Sequence, residues 1–364
     1  MIEMKKIVIV YGTRPELIKL IPLIQQMKAN KQINLLLINT GQHKEMVEEL
    51  EQVFDITPNI NLNIMQHNQS LNQIMINVAQ AINPILIKEK PAIVLVQGDT
   101  STASTVATTC FYNKIPVGHI EAGLRSFNIY EPYPEEFNRK VISLLATFNF
   151  TPTTNATNNL LAEGVNKATI FEVGNTIVDM VALVKEKYIQ NITYNENLIL
   201  ITAHRRENHG EGILAICKAI KKILTTHPHL KFIWPLHPNP NVKDVVTNEL
   251  KDIANVQLTV PLSYLSLTQI MQSCKLIWSD SGGIQEECPS FKKPVLILRN
   301  VTERPEVVTS GFGKIVGTNI DEIVKQTILI LSNDEVYQSM IEGKNPFGNG
   351  TASQQIINII LEKL

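Results

Sequence analysis

Cysteine is scarce in this chain: four residues, Cys110, Cys217, Cys274 and Cys288, among 364, with no paired spacing. That excludes a disulfide-built scaffold and a clustered-thiol metal site, and it suits a reducing compartment. Charge of one sign is missing too, since the formal balance is only −1. No broad cationic field exists to attract nucleic acid or an anionic membrane surface, so neither partner is expected. An anionic ligand would have to be held by a local cluster. No apolar run approaches the roughly 18 residues of a membrane span. Met1–Lys6 leads directly into a strand without signal-peptide architecture, and the expected location is the cytoplasm. Also lacking are a GxGxxG fingerprint, a P-loop, a nucleophile elbow and any metal-ligand spacing of histidine or cysteine. Neither a metal nor another cofactor is therefore expected.

What is present is a repeated alternation of short apolar runs, polar or glycine punctuation, and helical stretches. IVIVYG (7–12), LLLINTG (35–41), IVLVQGD (93–99), VGHIEAG (117–123), FNFTPT (148–153) and IFEVGNT (170–176) form one series. LILITAH (198–204), FIWPLH (232–237), LTVPL (258–262), LIWSDSGG (276–283) and VLILRN (295–300) form a second. Continuous apolar strands separated by helices predict parallel sheets buried on both faces. The fold class is therefore α/β, with two Rossmann-like doubly wound domains facing across a cleft. Residues 1–175 and 176–352 are the expected domains, and the helical segment 353–364 is expected to pack back on the first. Ligands of such sheets bind beyond the carboxyl ends of the strands. Those ends hold Arg14, Gln42, His43, Asp99, Glu121, His204, His237 and Ser281.

Each motif has a structural reading beside its functional one. Thr13-Arg14-Pro15-Glu16 fits a capping box, yet Gly12 before it, with Arg14 and Lys19 near the positive end of the helix, also suits a phosphate. In Gln97-Gly98-Asp99-Thr100, either Asp99 or Thr100 serves as an N-cap, or the small residues that follow let a ligand approach. His119 and Glu121, two apart at a strand end, face the same side, unless Glu121 instead pairs with Arg125. Glu135 and Glu136 follow a proline at a helix start, where carboxylates also suit the helix dipole. His204 at a strand end can donate to a leaving phosphate once protonated, whereas Arg205 and Arg206 also fit an exposed basic face. Ser281-Gly282-Gly283 lets backbone amides approach a diphosphate, with Glu287 as acceptor for ribose hydroxyls. Arg304 adds a cation after another strand.

In order along the chain, GTRPE, GQH, QGDT, HIEAGLRS, PEEFNR, HRREN, SGGIQEE, TERPE and NPFGNG closely resemble the non-hydrolysing UDP-N-acetylglucosamine 2-epimerase family. The resemblance implies a GT-B-like fold, a UDP-sugar substrate, a homodimer, and work in cell-envelope polysaccharide synthesis. It implies elimination of UDP to 2-acetamidoglucal followed by re-addition, with Asp99, Glu121 and Glu135 as acid–base groups. His204, aided by Arg14, would stabilise UDP departure. Lys19, Ser281, Gly282, Gly283 and Glu287 would hold the nucleotide, with Arg304 near sugar or phosphate. Leu267 stands where the family often has an aromatic beside uracil. The competing readings are a 2-epimerase of another UDP-2-acetamido sugar, a GT-B glycosyltransferase, and a non-catalytic sugar-nucleotide sensor. A glycosyltransferase would not need three carboxylates at strand ends, and a sensor would not need to retain them.

A second, activating substrate site is implied at Gln42, His43, Glu45, Asn68, Arg205 and His237. Asn68 replaces an arginine and Glu45 a glutamine there, and both changes oppose binding of a diphosphate. Activator affinity is expected to fall roughly tenfold to a hundredfold, for a lost charged hydrogen bond of about 1.5–3 kcal/mol. The reverse reaction from pure UDP-N-acetylmannosamine should then run without a pronounced lag. A lag abolished by traces of UDP-N-acetylglucosamine would refute this.

Overall fold

A computed structural model describes residues 4–42, 44–65 and 69–364, the side chains of Lys44 and Glu45 excepted. The first sheet contains β1 (Lys5–Tyr11), β2 (Ile33–Asn39), β3 (Ile60–Asn61), β4 (Ile93–Gln97), β5 (Val117–Ile120), β6 (Phe148–Thr151) and β7 (Ile170–Glu172). All its pairings are parallel, and the order is β3-β2-β1-β4-β5-β6-β7. Its connections carry α1 (Arg14–Ala29), α2 (Lys44–Val53), α3 (Leu71–Glu89), α4 (Ser101–Tyr112), α5 (Glu135–Leu145) and α6 (Thr154–Ala162), and α7 (Thr176–Lys187) follows.

The second sheet contains β8 (Leu198–Thr202), β9 (Lys231–Pro235), β10 (Val256–Thr259), β11 (Leu276–Ser279), β12 (Val295–Ile297) and β13 (Gly313–Ile315). It too is parallel, in the order β10-β9-β8-β11-β12-β13. With it come α8 (Glu211–Thr226), α9 (Pro240–Leu250), α10 (Tyr264–Ser273), α11 (Gly282–Phe291), α12 (Pro305–Thr309), α13 (Ile320–Ser332) and α14 (Asp334–Ser339). The last helix is α15 (Ala352–Lys363).

The doubly wound α/β expectation is borne out, for the reason the apolar runs gave. Ile7–Val10 and Ile93–Val96 are buried along their whole length because helices cover both faces of the sheet. The strands β3 and β13 were not foreseen; at two and three residues they are too short to show a period. Other strands stop earlier than their apolar runs. β5 ends at Ile120 because Glu121 adopts φ 69° and Gly123 φ 88°, where a pleated ladder cannot continue.

The chain forms two compact units. One runs up to Met180 and adds Phe347–Leu364; the other is Val181–Pro346. Within the first, α15 packs on α1, and the buried Asp179 carboxylate accepts from the amides of Ala352 (3.2 Å) and Ser353 (2.8 Å) at its start. The first core gathers Val8, Val10, Val94, Val96 and Val106 between sheet and helices. The second is built round Trp234 and Trp278, with Phe232 edge-on to Trp278. All four cysteines are buried and unpaired, and burial alone pushes the Cys110 thiol up to about 12. Among the described residues, no helix is long and apolar enough to cross a membrane.

Candidate active site

Each sheet has one place where the strand order reverses direction: between β1 and β4 in the first, between β8 and β11 in the second. Loops leaving neighbouring strands at such a point diverge and open a crevice at the carboxyl edge. Arg14 and Asp99 follow β1 and β4 at the first such point, and His204 and Ser281 follow β8 and β11 at the second, whereas Glu121 and Glu135 come after β5 and Arg304 after β12.

In the first unit, Thr13 caps α1 and Glu16 completes the capping box, its carboxylate accepting from the amides of Gly12 (2.9 Å) and Thr13 (2.7 Å). The same carboxylate accepts from the Thr100 hydroxyl at 2.7 Å, tying the loop after β1 to the loop after β4. Burial pushes the Glu16 carboxyl up, and these hydrogen bonds work against that. Thr100, rather than Asp99, is the N-cap of α4, accepting from the Ala103 amide. Asp99 is thereby left to project its carboxylate. Arg139 holds that carboxylate, with Nε 2.9 Å and Nη2 2.7 Å from Oδ2, while Asn138 Nδ2 donates to the Asp99 carbonyl at 2.8 Å.

Glu121 follows β5 in a left-handed conformation, so strand alternation does not reach it, and the same-side reading of His119 and Glu121 is corrected. Its buried carboxylate is ion-paired with Lys19 of α1 and accepts from Gln97 Nε2 at 3.1 Å. The proposed Glu121–Arg125 pair does not form: Arg125 instead binds Glu163, 2.7 Å away. The two carboxylates at the start of α5 part company. Glu136 is fully buried and accepts from the Ser126 amide and from Arg139, whereas Glu135 is half-buried in the first turn. Arg14, at the first position of α1, is also half-buried. Gln42 accepts from Thr102 at 2.8 Å; His43, Asn68 and the side chain of Glu45 lie outside the described residues.

In the second unit the organising residue is one the sequence reading passed over. Asp280, fully buried, accepts from the amides of His204 (2.9 Å) and Arg205 (2.8 Å) and from Asn208 Nδ2 (2.9 Å). The sequence offered only an acid directly before the Ser-Gly-Gly turn, at the end of an apolar run. Asp280 fixes the loop after β8, and the His204 ring stacks on His237, 5.3 Å between centroids and 11° from parallel. The surrounding protein crowds the imidazole and lowers its pKa. Asp280 pulls upward, and His237, Arg205 and His209 push further down. Solvent still reaches 41% of this side chain, which weakens each of those influences.

Ser281 caps α11 through its backbone alone, leaving the helix start open. Arg304 lies over Gly282: a Cβ added there would come within 3.2 Å of its Cζ. Arg304 Nε donates to Glu286 at 2.7 Å, which fixes the guanidinium beside that helix start. Glu287 is buried on α11 and accepts from the Tyr264 hydroxyl at 3.0 Å. Leu267 is half-buried one turn further along α10. Arg299 bridges Glu207 and Glu303; burial pushes the Glu303 carboxyl up, but the Arg299 and Arg304 guanidiniums prevail and hold it at about 2.

The sequence pattern of the UDP-N-acetylglucosamine 2-epimerase family matches residues 25–361. This chain belongs to that family. It is 42% identical to the UDP-N-acetylglucosamine 2-epimerase of Campylobacter jejuni, with 98% of both chains covered. It is 40% identical to that of Escherichia coli K12, over 98% of each. Among solved structures, the Neisseria meningitidis UDP-GlcNAc 2-epimerase bound to UDP-GlcNAc superposes with a TM-score of 0.91. That pair is 41% identical and covers 98% of this chain and 100% of the other. The Staphylococcus aureus MnaA–UDP structure superposes with a TM-score of 0.90 at 39% identity, covering 99% and 97%. The protein is thus an isomerase acting as a UDP-N-acetylglucosamine 2-epimerase, built on the α/β architecture of these enzymes.

Proposed function

We propose that the protein inverts C2 of UDP-N-acetylglucosamine by eliminating UDP and adding it back. The observation that supports this most is the division of chemistry between the carboxyl edges of the two sheets. The first presents carboxylates held by cations, Glu121 by Lys19 and Asp99 by Arg139. The second presents an open helix start beside Arg304 and His204. A C2 proton is not adjacent to a carbonyl, so its removal must be assisted by departure of the diphosphate from C1. One group takes the proton as the C1–O bond breaks and 2-acetamidoglucal forms. A second protonates C2 from the opposite face as UDP returns. Two faces need two proton-transfer groups, and Asp99, Glu121 and Glu135 form the acid–base set.

The diphosphate is assigned to Ser281–Gly283, where helix amides and Arg304 meet its charge, with His204 as donor to the departing oxygen and Arg14 as a further cation. Glu287, oriented by Tyr264, accepts from the ribose, and Leu267 borders the uracil. Lys19, ion-paired with Glu121, is proposed to hold the nucleotide as well as that carboxylate. The family resemblance supports a cytoplasmic role in supplying activated N-acetylmannosamine for envelope polysaccharide.

Gly283 gives the sharpest test of the diphosphate assignment. A Cβ there would meet nothing of the protein closer than Ser281 Oγ at 3.9 Å, so Gly283→Ala has room in the free fold. It is expected to weaken UDP binding at least about tenfold in calorimetry, with an unchanged melting temperature, because the methyl would occupy the approach of the phosphate. Undiminished affinity would move the diphosphate elsewhere.

The homodimer is also proposed, on the first unit. Its helices α3, α4 and α5 pack side by side yet leave Ile76, Phe111, Tyr112 and Leu144 exposed, the last by 83%. Large apolar side chains left in water on neighbouring helices suit a symmetric contact. Light scattering should give twice the 40.8 kDa chain mass, and Leu144→Asp should return it to that of one chain. A wild-type monomer would end this proposal.

A further inference from the structure

His119 belongs to none of the roles above, although it lies directly beneath them. It is wholly buried in β5, and its Nε2 is 2.7 Å from the carbonyl oxygen of Gly98. A carbonyl oxygen only accepts, so Nε2 bears the proton and Nδ1 is bare; among the described residues Nδ1 has no hydrogen-bond partner. Its strand neighbours in register are Val96 on β4 and Asn149 on β6, and Asn149 is likewise buried with both side-chain amide atoms unpartnered among the described residues. The residue that His119 grips is the one preceding Asp99. Gly98 holds φ +70°, and its own amide donates to the Ile120 carbonyl at 3.0 Å.

We propose that His119 is a positioning residue for Asp99: through Gly98 it sets the peptide plane from which the Asp99 carboxylate departs. This rests on the reading of Asp99 as an acid–base group. Asp99 is then fixed at three points, each by a different residue. His119 holds the preceding carbonyl, Asn138 holds its own carbonyl, and Arg139 holds the carboxylate. The left-handed Gly98 is a backbone position with more than one accessible state, which is why it needs a restraint from outside the turn. Full burial keeps His119 off the substrate, so it acts on geometry and moves no proton. Burial also pushes its pKa down, to about 4, against the smaller upward pull of the Gly98 carbonyl. The restraint is therefore insensitive to pH over the range in which sugar nucleotides are handled.

The test compares His119→Leu, which removes the donor, with His119→Gln, whose amide nitrogen reaches the place of Nε2. His119→Leu should lower kcat by about ten- to a hundredfold, as expected of a misplaced reacting group, with KM and UDP affinity within about twofold of wild type. His119→Gln should recover most of the loss. Added to Asp99→Asn, His119→Leu should cost nothing more, because both act through one carboxylate. Wild-type kcat in His119→Leu, or a further full loss in the double variant, overturns the proposal. Near-wild-type activity of Asp99→Asn alone would instead remove Asp99 from the chemistry. Should His119→Leu fail to fold, nitrogen-15 spectra of the histidine-labelled native protein decide. One imidazole should remain the Nε2–H tautomer from about pH 8 to 5. Titration of every imidazole near the ordinary value would refute the proposal.

Discussion

Replacing Glu121 with glutamine is expected to lower turnover by at least about 10²-fold, the usual cost of losing an acid–base group. Glutamine preserves shape and can still accept from Lys19 and Gln97, so the loss isolates proton transfer from packing. KM should change little, because a group that works only in the transition state contributes equally to kcat and kcat/KM. The buried Lys19 ammonium loses its counter-charge in this variant, and some thermal stability is expected to go with it. Rates must therefore be compared well below the lowered melting temperature. Asp99→Asn and Glu135→Gln should show losses of similar scale. In deuterated water the native enzyme should place solvent deuterium at C2 of the product. Full retention of the substrate proton would contradict elimination between exchanging carboxylates, and near-wild-type turnover of any one variant would exclude that residue.

Binding of the sugar nucleotide should strengthen as pH falls toward the ordinary histidine range, through His204. In the free protein this imidazole's pKa is lowered from the ordinary histidine value, first by the protein crowding it, against Asp280, and then by His237, Arg205 and His209. A diphosphate beside it favours the charged form, so the pKa rises on binding and a proton is taken up. Between the two values the complex holds a proton that the free protein lacks, which gives an affinity that increases with acidity. UDP-N-acetylglucosamine is the proper probe, since its diphosphate does not titrate near neutrality, and Glu121→Gln suppresses turnover during the titration. Calorimetry in buffers of different ionisation enthalpy would report the uptake. His204→Gln should abolish it and lower kcat by about 10²-fold. His237→Asn removes the stacked neighbour that disfavours the charge, and should shift the dependence to higher pH. Affinity independent of pH in the native protein would exclude His204 as the donor.

Most of the architecture was legible because burial on both faces leaves a plain record, as in Ile93–Val96, and because helix starts use local chemistry. Thr13 with Glu16, and Thr100 before α4, are contacts over three residues, and such spacing is visible in a linear sequence. The site's working partners are not local. Lys19 meets Glu121 across 102 positions and Asn208 meets Asp280 across 72, distances at which sequence spacing says nothing about contact. Arg125 shows the converse failure: four positions from Glu121, it binds Glu163 instead, because Glu121 has left the strand geometry that spacing assumes. Asp280 was missed for another reason. A glycine pair advertises ligand approach, while a buried acid that merely holds a loop resembles any polar residue near a turn.

The Asp179 carboxylate and the helix it caps have a consequence for the order in which the molecule is made. The first unit contains residues up to 180 and again from 347, so its sequence is interrupted by all of the second. On the ribosome, the earlier part emerges with its α1 surface uncovered and Asp179 lacking the amides of Ala352 and Ser353. At about 5–20 residues per second, the missing segment follows only after roughly ten to forty seconds. The second unit is contiguous in sequence and needs no later segment to complete it. A released chain ending at Pro346 should be protease-resistant in Val181–Pro346 and sensitive in the earlier-made residues.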